Sequence, residues 1–274
     1  MARTIRFHRH GGPEVLTIED IDVPPPGHGE VRIRTKALGL NRAEVLFRSG
    51  SYIEQARFPS GIGLEAAGLI ESIGAGVEGL SPGDAVSLVP PRSMVSSPVH
   101  GELVTVPAEL VVKHPPTLGW EAAAASWMQY LTAYGALVDI ARLARGEHAV
   151  ITAASSSVGL AAIQIANRIG AIPIAVTRTS RKAQALREAG AAHVVALAED
   201  GLEARLKEIA GEDGVRLVFD AVGGPAFIPL TAAMARGGIL FEYGGLSPQA
   251  TPFPLFNVLS KSLTLRGYLV HEIA

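Results

Sequence analysis

With 274 residues, 48% hydrophobic and 18% charged, the chain can bury one large core or two ordinary ones and is too apolar for disorder. A formal net charge of -2 gives no basic footprint for nucleic acid and no acidic tail. The absence of cysteine excludes disulfides, thiol catalysis and cysteine-ligated zinc.

The first residues, Met1-Ala2-Arg3-Thr4-Ile5-Arg6, are charged and open a strand-like alternation, not an apolar signal region. Up to Pro116 the chain reads as short strands at Thr4–His8, Val31–Leu38, Leu69–Ile73, Ala85–Val89, Leu103–Val106 and Leu110–Lys113. Turn signals such as Pro24-Pro25-Pro26-Gly27 and Ser81-Pro82-Gly83-Asp84 separate them. Only Arg42–Ser49 reads as helix, with Asn41 available as N-cap. This is the pattern of a small, irregular β-barrel.

The texture changes after His114-Pro115-Pro116, which sets the expected domains at 1–116 and 117–274. Trp120 to Ala141 reads as buried helix; Gln129, Thr132, Gly135 and Asp139 break it too often for a membrane span. Strands follow at Ala149–Thr152, Ile172–Val176, His193–Ala196, Arg216–Asp220, Ile239–Phe241 and Ser262–Leu269. Helices at Val158–Ile169, Arg181–Ala189, Leu202–Ile209 and Ala226–Met234 alternate with them, the signature of a doubly wound parallel sheet. A cytoplasmic location is the expectation.

The one literal G-x-G-x-x-G, Gly74 to Gly79, runs into Leu80-Ser81-Pro82-Gly83 and cannot open the helix that a pyrophosphate needs. It reads as a turn between barrel strands. The better candidate lacks two of the glycines: strand Val150-Ile151-Thr152, then Ala153-Ala154-Ser155-Ser156-Ser157-Val158-Gly159, then helix. Ala154, Ser156 and Gly159 stand at the three glycine positions, small enough for backbone to approach a phosphate. An ordinary serine-capped crossover helix is the competing reading. The next strand decides between them. An NAD site places a carboxylate at its end to hold the ribose hydroxyls. Here that end is Val176-Thr177-Arg178-Thr179-Ser180-Arg181-Lys182, basic and free of carboxylates, which suits the 2′-phosphate of NADPH.

These segments resemble the zinc-free quinone oxidoreductase (zeta-crystallin-like) branch of the medium-chain dehydrogenase/reductase superfamily. The resemblance rests on His10-Gly11-Gly12-Pro13-Glu14-Val15-Leu16, Gly39-Leu40-Asn41-Arg42-Ala43-Glu44 and Gly63-Leu64-Glu65-Ala66-Ala67-Gly68. Pro82-Gly83-Asp84-Ala85-Val86, Thr132-Ala133-Tyr134, Phe219-Asp220-Ala221-Val222-Gly223-Gly224 and Leu265-Arg266-Gly267-Tyr268 follow in the same order. The implied fold is α/β: an N-terminal chaperonin-10-like β-barrel catalytic domain plus a Rossmann doubly wound parallel sheet. Zinc-dependent relatives place Cys, His and Cys where this chain has Asn41, Leu64 and Met128, so no metal is expected.

By the same resemblance the nicotinamide lies near Asn41, Thr132 and the backbone of Gly267, Tyr268 and Leu269. Ser155, Ser156, Ser157 and Val158 face the pyrophosphate, and Thr177, Arg178, Ser180 and Lys182 the 2′-phosphate. Gly223, Tyr243, Gly244 and Gly245 line the remaining cofactor edge. Tyr52 matches a cleft tyrosine that either donates to the acceptor oxygen or packs there. The implied reaction is hydride transfer from NADPH to quinones or α,β-unsaturated carbonyls. An NADPH-binding protein with little turnover is the alternative, and enoyl reduction on an acyl chain a third. A homodimer through Ser262–Leu269 is implied, Leu263, Leu265 and Leu269 supplying an apolar edge. Family members return from the last Rossmann strand to complete the barrel. With few residues after Val270, the expectation is that the C-terminal return segment is missing, leaving an uncovered barrel surface and impaired turnover; the alternative is that these 274 residues are a fragment of a longer chain.

Overall fold

The computed structural model describes residues 1–273 as two compact units, Met1–Met128 and Gln129–Ile273. The first contains β1 (Ala2–Phe7), β2 (Thr17–Ile21), β3 (Glu30–Gly39), α1 (Arg42–Ser49), β4 (Ser60–Gly61) and β5 (Glu65–Ile73). β6 (Ala85–Leu88), β7 (Leu103–Pro107), β8 (Val111–Lys113) and α2 (Trp120–Ala124) complete it. The strands form two antiparallel sheets, ordered β2-β1-β4 and β7-β3-β5-β6-β8. Val31 and Ile33 point inward from β3 onto Ile70, Val86, Leu88 and Val104, while Arg32 and Arg34 point outward onto Glu71. Ile18 and Leu40 lie exposed on this unit.

Strand β2 escapes the sequence reading because Thr17-Ile18-Glu19-Asp20-Ile21 has no buried face; its register with β1, not its own apolar pattern, makes it a strand. The first unit also extends past the predicted step at Pro116. Ala123 and Ala124 of α2 cluster with Ala67, and Trp127 Nε1 donates to Ser87 Oγ at 2.8 Å.

The predicted continuous helix Trp120–Ala141 is corrected to three pieces: α2, α3 (Trp127–Tyr134) and a π-helical segment, Gly135–Ile140. Tyr130, expected to be buried, is exposed, its hydroxyl on Gln164 Oε1. The second unit then alternates β9 (His148–Ile151), α4 (Ser157–Ile169), β10 (Ile172–Thr177), α5 (Ala183–Glu188), β11 (His193–Ala196) and α6 (Leu202–Ala210). β12 (Val215–Asp220), α7 (Phe227–Ala232), β13 (Met234–Glu242), α8 (Leu255–Lys261) and β14 (Thr264–Gly267) follow.

All six strands of this unit are parallel in the order β11-β10-β9-β12-β13-β14, the doubly wound topology whose switch point lies between β9 and β12. Their side chains alternate between two cores. Ile151, Phe219 and Phe241 pack with α4 on one face; Val150, Val218 and Leu240 pack with Leu206, Leu230 and Leu263 on the other. The apolar edge expected of Leu263 is therefore wrong, since Leu263 belongs to the core and Leu265 packs against it. Leu269, two residues past β14, is exposed as expected, and Phe253, Phe256 and Leu259, which precede β14 in the chain, are exposed as well. Among the described residues, no helix is long and apolar enough to cross a membrane.

Candidate cofactor and active site

β9 ends at the switch point, where strand C-termini and a helix N-terminus meet. Ala153 turns the chain there with φ at 44°, a left-handed conformation that costs a residue bearing a Cβ about 1 kcal/mol. Gly159 is required by the next contact: a Cβ on it would stand 2.6 Å from the Ala154 carbonyl oxygen. Ser156 is the N-cap of α4 and its hydroxyl accepts the Gly159 N–H at 3.1 Å. The N–H groups of Ser157 and Val158, in the first turn, have no intrahelical acceptor, so the helix offers them and its positive end to an anion.

Beside this turn opens a cavity of about 920 Å³. Ser155 and Ser156 line one side, Thr177, Arg178, Thr179, Arg181 and Lys182 another, and Val176, Leu202, Ala226, Leu230 and Leu246 give it apolar walls. No carboxylate is among its lining residues, and Lys182 Nζ already reaches across to Ser155 Oγ at 3.1 Å. Ser180, expected at the 2′-phosphate, does not line the cavity; its N–H is capped by Glu199 Oε1 at 2.9 Å. Arg181 and Thr179 line the cavity in its place, Arg181 from the short 3-10 turn Ser180–Lys182 that precedes α5. The apolar walls, the cations and the α4 terminus suit an adenosine, its 2′-phosphate and its pyrophosphate respectively.

Behind the turn, β12 and β13 each end on an acid. Asp220 is fully buried and accepts from the Thr152 hydroxyl at 2.5 Å, Val222 N–H at 2.9 Å and Gly223 N–H at 3.2 Å. Glu242 is its register partner, yet no N–H or O–H among the described residues reaches either of its buried oxygens. Burial, then the neighbouring Asp220, pushes Glu242 up to about 8. Gly223 has φ at 65°, and a Cβ there would meet Thr251 Oγ1 at 2.8 Å. Tyr243 stacks on Phe219, ring centroids 4.0 Å apart, with its hydroxyl buried, so its side chain is core while its backbone continues to Gly244 and Gly245. Tyr268 is likewise core, leaving its backbone, with that of Gly267 and Leu269, as the available edge.

In the N-terminal unit Asn41 is the N-cap of α1, and two acids clasp it. Glu44 Oε2 accepts the Asn41 backbone N–H at 3.0 Å and Glu44 Oε1 the Leu64 N–H at 3.1 Å. Glu65 Oε2 accepts from Asn41 Nδ2 at 2.9 Å, and Glu65 Oε1 from Met128 N–H at 2.8 Å. Burial raises both carboxyls, Glu44 to about 7. Leu64 is core and Met128 packs against the same cluster, with Phe7 and Phe47. Tyr52 packs edge-on against Phe47, and burial, then Glu54, raises its phenol, which therefore stays protonated. The acids Glu44, Glu65, Asp220 and Glu242 were absent from the sequence-based site; a lone carboxylate inside an apolar run, as in Ile239-Leu240-Phe241-Glu242, was the available signal.

Two family models match the chain: the alcohol dehydrogenase GroES-like domain over residues 27–116 and the zinc-binding dehydrogenase domain over residues 157–273. Quinone oxidoreductase 1 of Escherichia coli (strain K12) is 36% identical over 251 residues, which cover 92% of this chain and 75% of that protein. A mitochondrial enoyl-[acyl-carrier-protein] reductase of Bos taurus is 30% identical over 282 residues, 98% of this chain and 73% of the relative. Among solved structures, E. coli quinone oxidoreductase complexed with NADPH superposes with a TM-score of 0.89 at 33% identity, covering 99% of this chain and 82% of that one.

Proposed function

Because the chain belongs to the quinone oxidoreductase branch of the medium-chain dehydrogenase/reductase superfamily, we propose that it reduces quinones or α,β-unsaturated carbonyls without a metal ion. It is an NADPH-dependent oxidoreductase; the acceptor class and the metal-free chemistry are the proposed part. The observation that carries the reading is the carboxylate-free basic cavity at the α4 N-terminus.

Bound NADPH supplies a hydride. Arg178 and Lys182 hold the 2′-phosphate through charge-assisted bonds, while the first turn of α4, with Ser155, holds the pyrophosphate. Thr132 and the backbone at Gly267 to Leu269 orient the nicotinamide, and Asn41 is assigned to it by the family resemblance alone. Tyr52 keeps its proton and can donate to the acceptor oxygen as charge develops there. Metal-free chemistry is supported by the residues at the three family ligand positions: Leu64 is apolar and buried, Met128 packs in the same cluster, and the Asn41 amide is committed to Glu65. Conjugated acceptors need no Lewis acid because they delocalise the charge left by the hydride. In the same reading the protein is a cytoplasmic homodimer paired through Ser262–Leu269, which includes edge strand β14 and the exposed Leu269.

NADPH consumption with a panel of quinones, enones and 2-enoyl thioesters tests the acceptor. Oxidation restricted to the thioesters, or none at all, would overturn the quinone reading. Arg178→Asp or Lys182→Glu should weaken NADPH roughly 10- to 100-fold and NADH far less, since each charge-assisted bond is worth about 1.5–3 kcal/mol. Equal Michaelis constants for the two cofactors in the parent protein would refute the assignment of the cavity.

A further inference from the structure

We propose that Glu65 is a positioning residue that fixes the orientation of the Asn41 side-chain amide; this rests on the reading of Asn41 given above. The argument begins in the barrel. Gly39, last residue of β3, is the register partner of Glu65, first residue of β5. A Cβ on Gly39 would stand 2.7 Å from Glu65 Cβ and 2.2 Å from the Ala124 carbonyl oxygen, so only glycine leaves the carboxylate room to enter. Glu65 is 2% exposed, among the least accessible acids in the chain.

A buried carboxylate needs donors, and Glu65 finds two. One oxygen takes the Met128 N–H in the first turn of α3, where the helix end favours a negative charge. The other takes one N–H of the Asn41 amide at 2.9 Å. Glu44 holds the Asn41 backbone N–H and also acts on its side chain, while the Asn41 side-chain amide donates to Glu65 at 2.9 Å. An asparagine amide can ordinarily flip, exchanging its donor and acceptor ends. A carboxylate only accepts, so Glu65 permits one orientation: the NH₂ toward itself. That fixes which polar groups Asn41 can present to a ligand before any ligand arrives, the preorganisation that makes a positioned group effective.

The test compares Glu65→Ala, Asn41→Ala and the double variant, using NADPH and 1,4-benzoquinone. Glu65→Ala should lower kcat about 10-fold or more while the NADPH dissociation constant changes less than about 3-fold, a split that general loosening of the fold would not produce. The double variant should fall within about 2-fold of Asn41→Ala alone, since the two residues act as one unit. An unchanged kcat in Glu65→Ala, or additive losses in the double variant, would overturn the proposal. A second measurement needs neither turnover nor a variant of Glu65 that folds. In the nitrogen-15 spectrum of the parent protein, the Asn41 side-chain amide, assigned by its loss in Asn41→Ala, should show one downfield proton protected from solvent exchange. An amide with ordinary shifts and rapid exchange would refute the positioning role. A parent protein that oxidises NADPH with no quinone would refute the acceptor assignment alone and leave the amide spectrum to decide on Glu65.

Discussion

Each unit of the molecule buries a pair of acids at its candidate site, and the pairs differ in how their oxygens are used. Around Asn41, all four oxygens of Glu44 and Glu65 accept a hydrogen bond from a backbone N–H or the Asn41 amide. Behind the pyrophosphate turn, Asp220 collects the Thr152 hydroxyl and two N–H groups, while Glu242 collects none. Burial alone therefore does not define a buried acid. Burial raises the acids of both pairs, Glu44 to about 7 even with its donors; at Glu242, where no donor reaches and another carboxylate stands beside it, the rise goes to about 8.

The comparison is broken most directly at Glu44. Glu44→Ala should cost about 3 kcal/mol, because the Asn41 and Leu64 N–H groups lose their acceptor inside the barrel and each unsatisfied donor costs about 1–3 kcal/mol. Chemical denaturation measures it, and a loss below about 1 kcal/mol would mean that water replaces the carboxylate. Glu242 has no donor to lose, and its effect is read in the pH dependence of stability. Its proton is bound in the folded state up to about 8 but released from the unfolded chain near the ordinary value of 4.5. The folded state then binds more protons across that window, so stability falls as pH rises from the unfolded value toward the folded one. Because the side chain is only half-buried, solvent screening holds the loss to about 1–2 kcal/mol. Glu242→Gln should remove that part of the slope, and an unchanged stability–pH curve would contradict the assigned proton. The smallest effect belongs to Thr152→Val, which deletes one of three donors to Asp220 and the acceptor of the Ala221 N–H at 3.0 Å. About 1–2 kcal/mol is expected from calorimetry, with Asp220 still held by its two N–H donors.

Much of the second unit is legible in the chain because its signals are local. Strands such as His193–Ala196, and the helix ending at Ile169, carry their own apolar period and their own caps. β13 is less legible: it starts at Met234 and passes through Gly237 at φ 72°, which interrupts the alternation that marks a strand. Helix α8 is hidden for another reason. It is short, follows Pro252 and Pro254, and leaves Phe256 and Leu259 exposed in place of a buried stripe.

By itself the sequence determined the barrel-then-parallel-sheet organisation, the decoy at Gly74 to Gly79, and the basic run at the end of the second strand. Each depends on neighbours along the chain: periodicity, a turn residue, a cluster of cations. Only the tertiary structure decided that Arg181 and Thr179, not Ser180, face the cavity, that Leu263 is core, and that the Asn41 amide bonds Glu65. Those facts depend on register and on which face of an element meets another. Glu65 lies 24 residues from Asn41 in the chain and reaches it only because β3 and β5 pair in a register that sets it opposite Gly39.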